Sequence, residues 1–190
     1  MNPVAPIETF NPRSSMREVL EVYPGAQRAL FRRYHIGGCS SCGFSLDETL
    51  EQLCRRNGEL NVDEVLEHIR KSHEQDARIL IAPAELAAWL KRDKSLRLVD
   101  IRSREEFEAV HIEGSQLLSQ DVMRAILSDG SNERPLVIID HQGKQALDGA
   151  AYFIGHGLLN VRCLRGGIDA WAQEVDLKMP RYRVEITEKQ

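Results

Sequence analysis

The spacing of apolar positions changes character near residue 76. Between residues 14 and 75 it is helical. Three capping-box patterns open periodic runs: Ser15 with Glu18, Ser45 with Glu48, and Asn61 with Glu64. Behind Ser45, the residues Leu46, Leu50, Leu53 and Cys54 share one face at helical spacing. Arg55 and Arg56 precede Gly58, a stop signal with cations at the negative end of the helix. Pro24-Gly25 separates a first helix from a second, over Ala26 to Tyr34, and the loop HIGGCSSCG interrupts the pattern. Four short helices are expected, the last from Val62 to about His73. The polar stretch KSHEQDA reads as a linker between this helical segment and a second one of different texture.

Beyond the linker, strand-like and helix-like runs alternate. The strand candidates are Ile79-Leu80-Ile81, LRLVDI, SQLLS, PLVIID and NVRCL, and PLVIID is the clearest. The helix candidates between and after them are PAELAAWLKR, REEFEAV, DVMRAILS, ALDGAAYFIGHG and IDAWAQEV. Strands interleaved with helices predict a parallel sheet covered on both faces, with right-handed crossovers. Ligands bind at the carboxyl ends of such strands, which puts Asp140 to Gln145 at the prime position. The expected organisation is a flexible N-terminus over 1–13, a small all-α domain over 14–75, an α/β domain over 76–182 and a C-terminal tail over 183–190.

Composition narrows the function classes. The chain has 190 residues, with 25 Lys and Arg against 29 Asp and Glu, a net charge of −4. This balance lacks the basic footprint of a nucleic-acid binder. No apolar run approaches the roughly 20 residues that span a bilayer. No basic leader with an apolar stretch opens the sequence, so the cytoplasm is the expected location. Thiols stay reduced there, and Cys39, Cys42, Cys54 and Cys163 are read as ligands, redox groups or core before disulfides.

Residues 100–114, DIRSREEFEAVHIEG, carry Asp100, Arg102, Glu106, Phe107, His111, Ile112 and Gly114 in the order of a known signature. Residues 164–171, LRGGIDAW, match its closing signature. On these motifs the second segment resembles the rhodanese (sulfurtransferase) family. The resemblance implies a rhodanese-like five-stranded parallel sheet with helices on both faces. It also implies a six-residue active-site loop that begins with a nucleophilic Cys, has a Gly three positions later and an Arg two after that, and is followed by Ser.

Anchored on Gly143, the corresponding loop reads Asp140, His141, Gln142, Gly143, Lys144, Gln145, then Ala146. Asp140 stands in the nucleophile position, Gln145 in place of the Arg and Ala146 in place of the Ser. Sulfur transfer needs a thiolate that holds sulfur as a persulfide anion, cradled by loop N–H groups and a helix N-terminus. A carboxylate forms no comparable persulfide, yet it can accept the same N–H groups. Asp140 is therefore expected to lock the cradle in a charged, unreactive form. Asp140 with His141 as an acid–base pair is the competing reading. Phosphatase chemistry would need the missing Cys and Arg. Lys144 leaves one cation at the loop, as a solvated side chain or a weak anion contact. Asp100 and Arg102 are expected to bond neighbouring loops, and His111 to be a satisfied, at least half-buried imidazole. Trp89, Trp171, Phe107, Phe153 and Cys163 are expected in the core.

Cys39 and Cys42 lie between Gly37-Gly38 and Gly43, where glycines let two thiols face one point. The pair suits half of a zinc site, half of an iron–sulfur site, a redox dithiol, or two unliganded thiols. Cys54 and His35 are candidate further ligands, although the apolar neighbours of Cys54 favour core; a homodimer would supply two Cys from each chain. Tyr34, Ile36, Gly37, Cys39 and Cys42 also resemble small helical cysteine domains found beside rhodanese-like and iron–sulfur proteins. Taken together, the sequence points to a binding or regulatory module with a protein partner in sulfur or iron–sulfur handling. The alternatives are a persulfide carrier using Cys39 and Cys42, and an iron–sulfur or zinc protein.

Overall fold

The computed structural model describes residues 11–37, 43–129 and 133–182. Most of the expected N-terminal segment, Cys39, Cys42 and the 183–190 tail lie outside the described residues. The chain forms two compact units that meet between Arg78 and Ile79.

In the first unit, α1 spans Met16–Val22, α2 Ala26–Tyr34, α3 Leu50–Arg56 and α4 Val62–Ile79. Ser15 and Glu18 form the expected reciprocal cap on α1, and the Asn61 side chain accepts from the N–H groups of Asp63 and Glu64 at 3.0 and 3.2 Å. Met16, Val19, Leu30, Ile36, Leu50, Leu53, Val65 and Ile69 pack into one core.

Two sequence expectations change here. The Ser45–Glu48 pattern does form its hydrogen bond, Ser45 N–H to Glu48 at 3.1 Å, but the helix starts later, at a Thr49–Gln52 box. The reason is a long-range clasp. Met16 and Arg17 N–H groups donate to the carbonyls of Glu48 and Leu46, and Leu50 N–H donates to the Ser14 carbonyl, which keeps 46–49 as a turn ending in a bridge at Thr49, outside the helix. Leu46 therefore leaves the helical face and is 42 % exposed. The KSHEQDA stretch is also helical, because it continues α4 to Ile79. Its Lys, Glu, Gln and Ala are good helix formers, and Asp76 within it pairs with Arg28.

The second unit is a parallel sheet of five strands in the order β1-β5-β4-β2-β3. These are β1 Leu80–Ile81, β2 Arg97–Asp100, β3 Ser115–Leu117, β4 Leu136–Ile139 and β5 Val161–Leu164. They alternate with α5 Pro83–Arg92, α6 Arg104–Ala109, α7 Gln120–Ser128, α8 Ala146–Gly155 and α9 Gly167–Glu174. Val99, Leu136, Ile138, Val161 and Cys163 face Ile126, Ala150 and Phe153 of α7 and α8. Leu98, Val137, Ile139 and Leu164 face Leu86, Ile168 and Trp171 of α5 and α9. Each residue of the central strand β4 is fully buried, as a strand covered on both faces requires. That strand delivers Asp140 to its carboxyl end.

The revised start of α3 has a measurable consequence. Leu53→Ala empties a fully buried site and should cost about 2–5 kcal/mol in urea unfolding. Leu46→Ala, outside the helix, should stay within about 0.5 kcal/mol of the wild type.

Candidate functional site

The loop after β4 wraps around the Asp140 carboxylate. The Gly143 N–H donates to Oδ1. The Gln145 and Ala146 N–H groups donate to Oδ2 at 2.7 and 3.2 Å. Asp140 itself is only 2 % exposed. These donors lie in the loop and at the start of the 10-residue helix α8, where free N–H groups and the helix dipole favour negative charge. The anion cradle is thus formed, and the chain's own side chain fills it.

Two glycines allow the loop to close. Gly143 has φ +81°, and a Cβ there would sit 2.6 Å from the Gly166 nitrogen. Gly167 has φ +61°, and a Cβ there would sit 2.5 Å from the Asp140 carbonyl oxygen. This close approach lets Ile168 N–H reach the Asp140 carbonyl at 2.9 Å and Asp169 N–H reach His141 at 3.1 Å. The start of α9 is therefore tied to the start of the loop.

The expected loop residues are brought together with different exposures. His141 and Gly143 are half-buried, while Gln142, Lys144 and Gln145 are exposed. Among the described residues, the hydrogen-bond partners of the Asp140 carboxylate are backbone N–H groups and include no thiol. Cys163 is fully buried beneath α8, and its Sγ donates to the Ala146 carbonyl at 3.1 Å. A larger groove of about 720 Å³ lies between α5 and α9, lined by Leu90, Ile112, Trp171 and Met179, and contains no loop residue. The candidate site is therefore set by chemistry and not by cavity size.

Beside the loop sits a buried ion pair. Asp100 is fully buried and Arg102 is 8 % exposed. The Arg102 guanidinium binds both Asp100 oxygens, with Nη2 to Oδ2 at 2.6 Å, and also reaches the Val110 carbonyl at 2.8 Å. Its remaining nitrogen donates to the Tyr182 hydroxyl at 2.6 Å. That hydroxyl donates in turn to Glu106 at 2.8 Å. Burial opposes the Arg102 charge, but the Asp100 and Tyr182 hydrogen bonds outweigh it and hold the group above the ordinary arginine range. Burial pushes the Tyr182 phenol up to about 12, so it stays a neutral hydroxyl that accepts from one neighbour and donates to the other. Burial also opposes Glu106 ionisation, yet the Ser103 and Tyr182 donors keep its carboxyl below the usual range.

Tyr182 and its neighbour Arg181 were not legible as site residues. They follow the last helix in a polar stretch without periodicity, and only an aromatic after Pro180 marks the place. His111 also departs from expectation. It is exposed, stacked on Phe107 at 4.3 Å between ring centroids, with Nδ1 near the Phe107 carbonyl. An imidazole one turn beyond Phe107 finds its ring partner on the surface and needs no core.

Among the cysteine-site candidates, Cys54 is 1 % exposed in the helical core, and burial pushes its thiol up to about 11. His35 is exposed and closes α2 in the left-handed conformation. No group of three or more metal-ligating side chains occurs among the described residues, and no described helix is long and apolar enough to cross a membrane.

With this geometry in place, the comparisons with known proteins are specific. The model of the rhodanese-like domain matches residues 82–174. Thiosulfate sulfurtransferase GlpE of Pseudomonas syringae is 32% identical over 89 residues, which are 47% of this chain and 83% of that protein. The probable adenylyltransferase/sulfurtransferase MoeZ of Mycobacterium tuberculosis is 31% identical over 104 residues, 54% of this chain and 26% of that protein. The chain thus spans about a quarter of the length of the adenylyltransferase/sulfurtransferase relatives it matches. A solved rhodanese-like domain protein of Staphylococcus aureus has a TM-score of 0.44 at 22% identity, covering 55% of this chain and 98% of that one.

Two outcomes follow from the geometry. Asp140→Ala leaves its N–H donors without an acceptor and should lower stability by about 2–4 kcal/mol in urea unfolding. Glu106 and Asp169 both have lowered carboxyl pKa values, Glu106 against its burial through the Ser103 and Tyr182 donors, and Asp169 through Arg181. Their stabilisation is complete above about pH 4.5 and is lost as pH falls through the folded values. Glu106→Gln should therefore flatten the fall in melting temperature between about pH 5 and pH 3.

Proposed function

The chain belongs to the rhodanese-like domain family through residues 82–174, and on that premise we propose that it serves as a docking module in sulfur handling and does not transfer sulfur through this loop. The observation that carries the reading is the Asp140 carboxylate held by the N–H groups of Gly143, Gln145 and Ala146. In sulfur transfer a thiolate attacks a sulfane sulfur, an S–S bond forms on the enzyme, and the donor leaves with the electron pair of the broken bond. An Asp140 oxygen offers no equivalent bond. Its negative charge also occupies the position where the persulfide anion would be stabilised, so a second anion is repelled from the cradle.

The same argument weakens the acid–base reading. A general base must reach a proton on the substrate, whereas both Asp140 oxygens are engaged with backbone donors. What remains is a shaped loop with His141, Gln142, Lys144 and Gln145 on its outer side. Such a surface suits recognition of a protein partner, including one that carries sulfur or an iron–sulfur cluster, with Lys144 available to a small anion. Persulfide carriage by Cys39 and Cys42 is the alternative, since buried Cys54 and Cys163 are closed to a donor.

Incubation of the reduced protein with thiosulfate, followed by cyanide and by intact mass, tests the proposal. The expected result is no thiocyanate formed through the loop, and little gained by Asp140→Cys, because Gln145 and Ala146 also depart from the family pattern. Turnover that survives replacement of all four cysteines would refute the mechanism, since no sulfur acceptor would remain. A +32 Da adduct, about one sulfur atom, on Cys39 or Cys42 would favour the carrier.

A further inference from the structure

The segment after α9 returns to the mouth of the Asp140 loop and is held there by specific contacts. Arg181 makes a two-point ion pair with Asp169, at 2.7 and 3.1 Å. The Tyr182 hydroxyl sits between Arg102 and Glu106, at 2.6 and 2.8 Å. Its ring packs against the His141 ring at a tilt of 53°, with 4.6 Å between centroids. The space left between this strap, the loop and α9 is about 10 Å³, scarcely enough for one water. These receiving groups come from four separate places in the chain: β2 and its exit, α6, the loop, and the first turn of α9.

We propose that this face is a recognition surface for an arginine–tyrosine segment, occupied here by the chain's own Arg181-Tyr182 and opened when a partner protein presents the same pair. The chemistry is selective at both positions. Asp169 offers two oxygens to a planar guanidinium, a geometry that lysine cannot match. The second position requires a hydroxyl that accepts from Arg102 and donates to Glu106 on a ring that can lie against His141. Phenylalanine satisfies the ring contact and neither hydrogen bond.

The closed strap also has a defect that a partner can correct. His141 Nδ1 is buried and has no hydrogen-bond partner, and an unsatisfied buried polar atom is unfavourable. A segment in trans that carries the arginine–tyrosine pair and, next to it, a polar group that reaches Nδ1 repairs this and displaces the strap. An internal occupant also sets a threshold, because it is always present at the high effective concentration of a tethered ligand. The inference rests on the docking role proposed above and names what docks.

The test uses the full chain carrying Arg181→Ala and Tyr182→Ala, labelled with nitrogen-15, and the capped peptide Lys-Met-Pro-Arg-Tyr, the sequence of residues 178–182. In the double variant the peptide should shift the amide signals of His141, Glu106 and Asp169. The wild type should need at least tenfold more peptide for the same shift. Adding Asp169→Asn to the double variant, or replacing the peptide's Tyr by Phe, should weaken binding at least fivefold. Equal responses in the wild type and the double variant would overturn the proposal, as would a folded double variant that ignores the peptide. If the double variant loses its native spectrum, Arg181→Ala alone, which removes an exposed ion pair and leaves Tyr182 seated, replaces it: the peptide should then shift Asp169 at a lower concentration than in the wild type, and equal responses in the two would overturn the proposal. Sulfur transfer through the loop would sink the docking role without altering the peptide titration. A silent titration would sink the arginine–tyrosine surface and leave the loop unreactive.

Discussion

A carboxylate that accepts three backbone N–H groups is the constraint on which this site depends. Those donors point inward only because the loop turns sharply between β4 and α8, and they would be left unsatisfied without an anion at its centre. Asp140 supplies the acceptor oxygens. Its side chain organises the turn from within. One set of hydrogen bonds thus shapes the turn and fills its centre.

A second centre operates beside the first. Arg102 joins Asp100 on its own strand exit to the Val110 carbonyl and to Tyr182, which lies far along the chain. A buried guanidinium without partners would be strongly destabilising. Here each charged or polar group that surrounds it finds a counterpart, and Tyr182 is the last of them. The hub converts a local motif into a link between the early part of the domain and its final residues.

The strand–helix alternation was legible because buried strands such as Leu136–Ile139 carry an unbroken apolar run. The loop was legible too, since Asp140 and Gly143 fall at fixed positions after that strand. What escaped the sequence was long-range pairing. The start of α3 shifted because residues 14–17 capture the backbone of 46–50, and no local pattern announces a clasp between segments some thirty residues apart. Arg181 and Tyr182 were missed for the same reason: their partners Asp169, Arg102 and Glu106 are chosen by the tertiary fold. His111 was misplaced because a ring contact at short range, with Phe107, satisfied it at the surface.

The contact between Gly143 and Gly166 carries a last consequence. The curvature of the loop is set from two sides: from outside, where the Gly166 main chain leaves no room for a Cβ at residue 143, and from within, where the Asp140 carboxylate gathers the loop donors. The two positions therefore tolerate different replacements: residue 143 is restricted by space and backbone conformation, and residue 140 by the need to satisfy its donors.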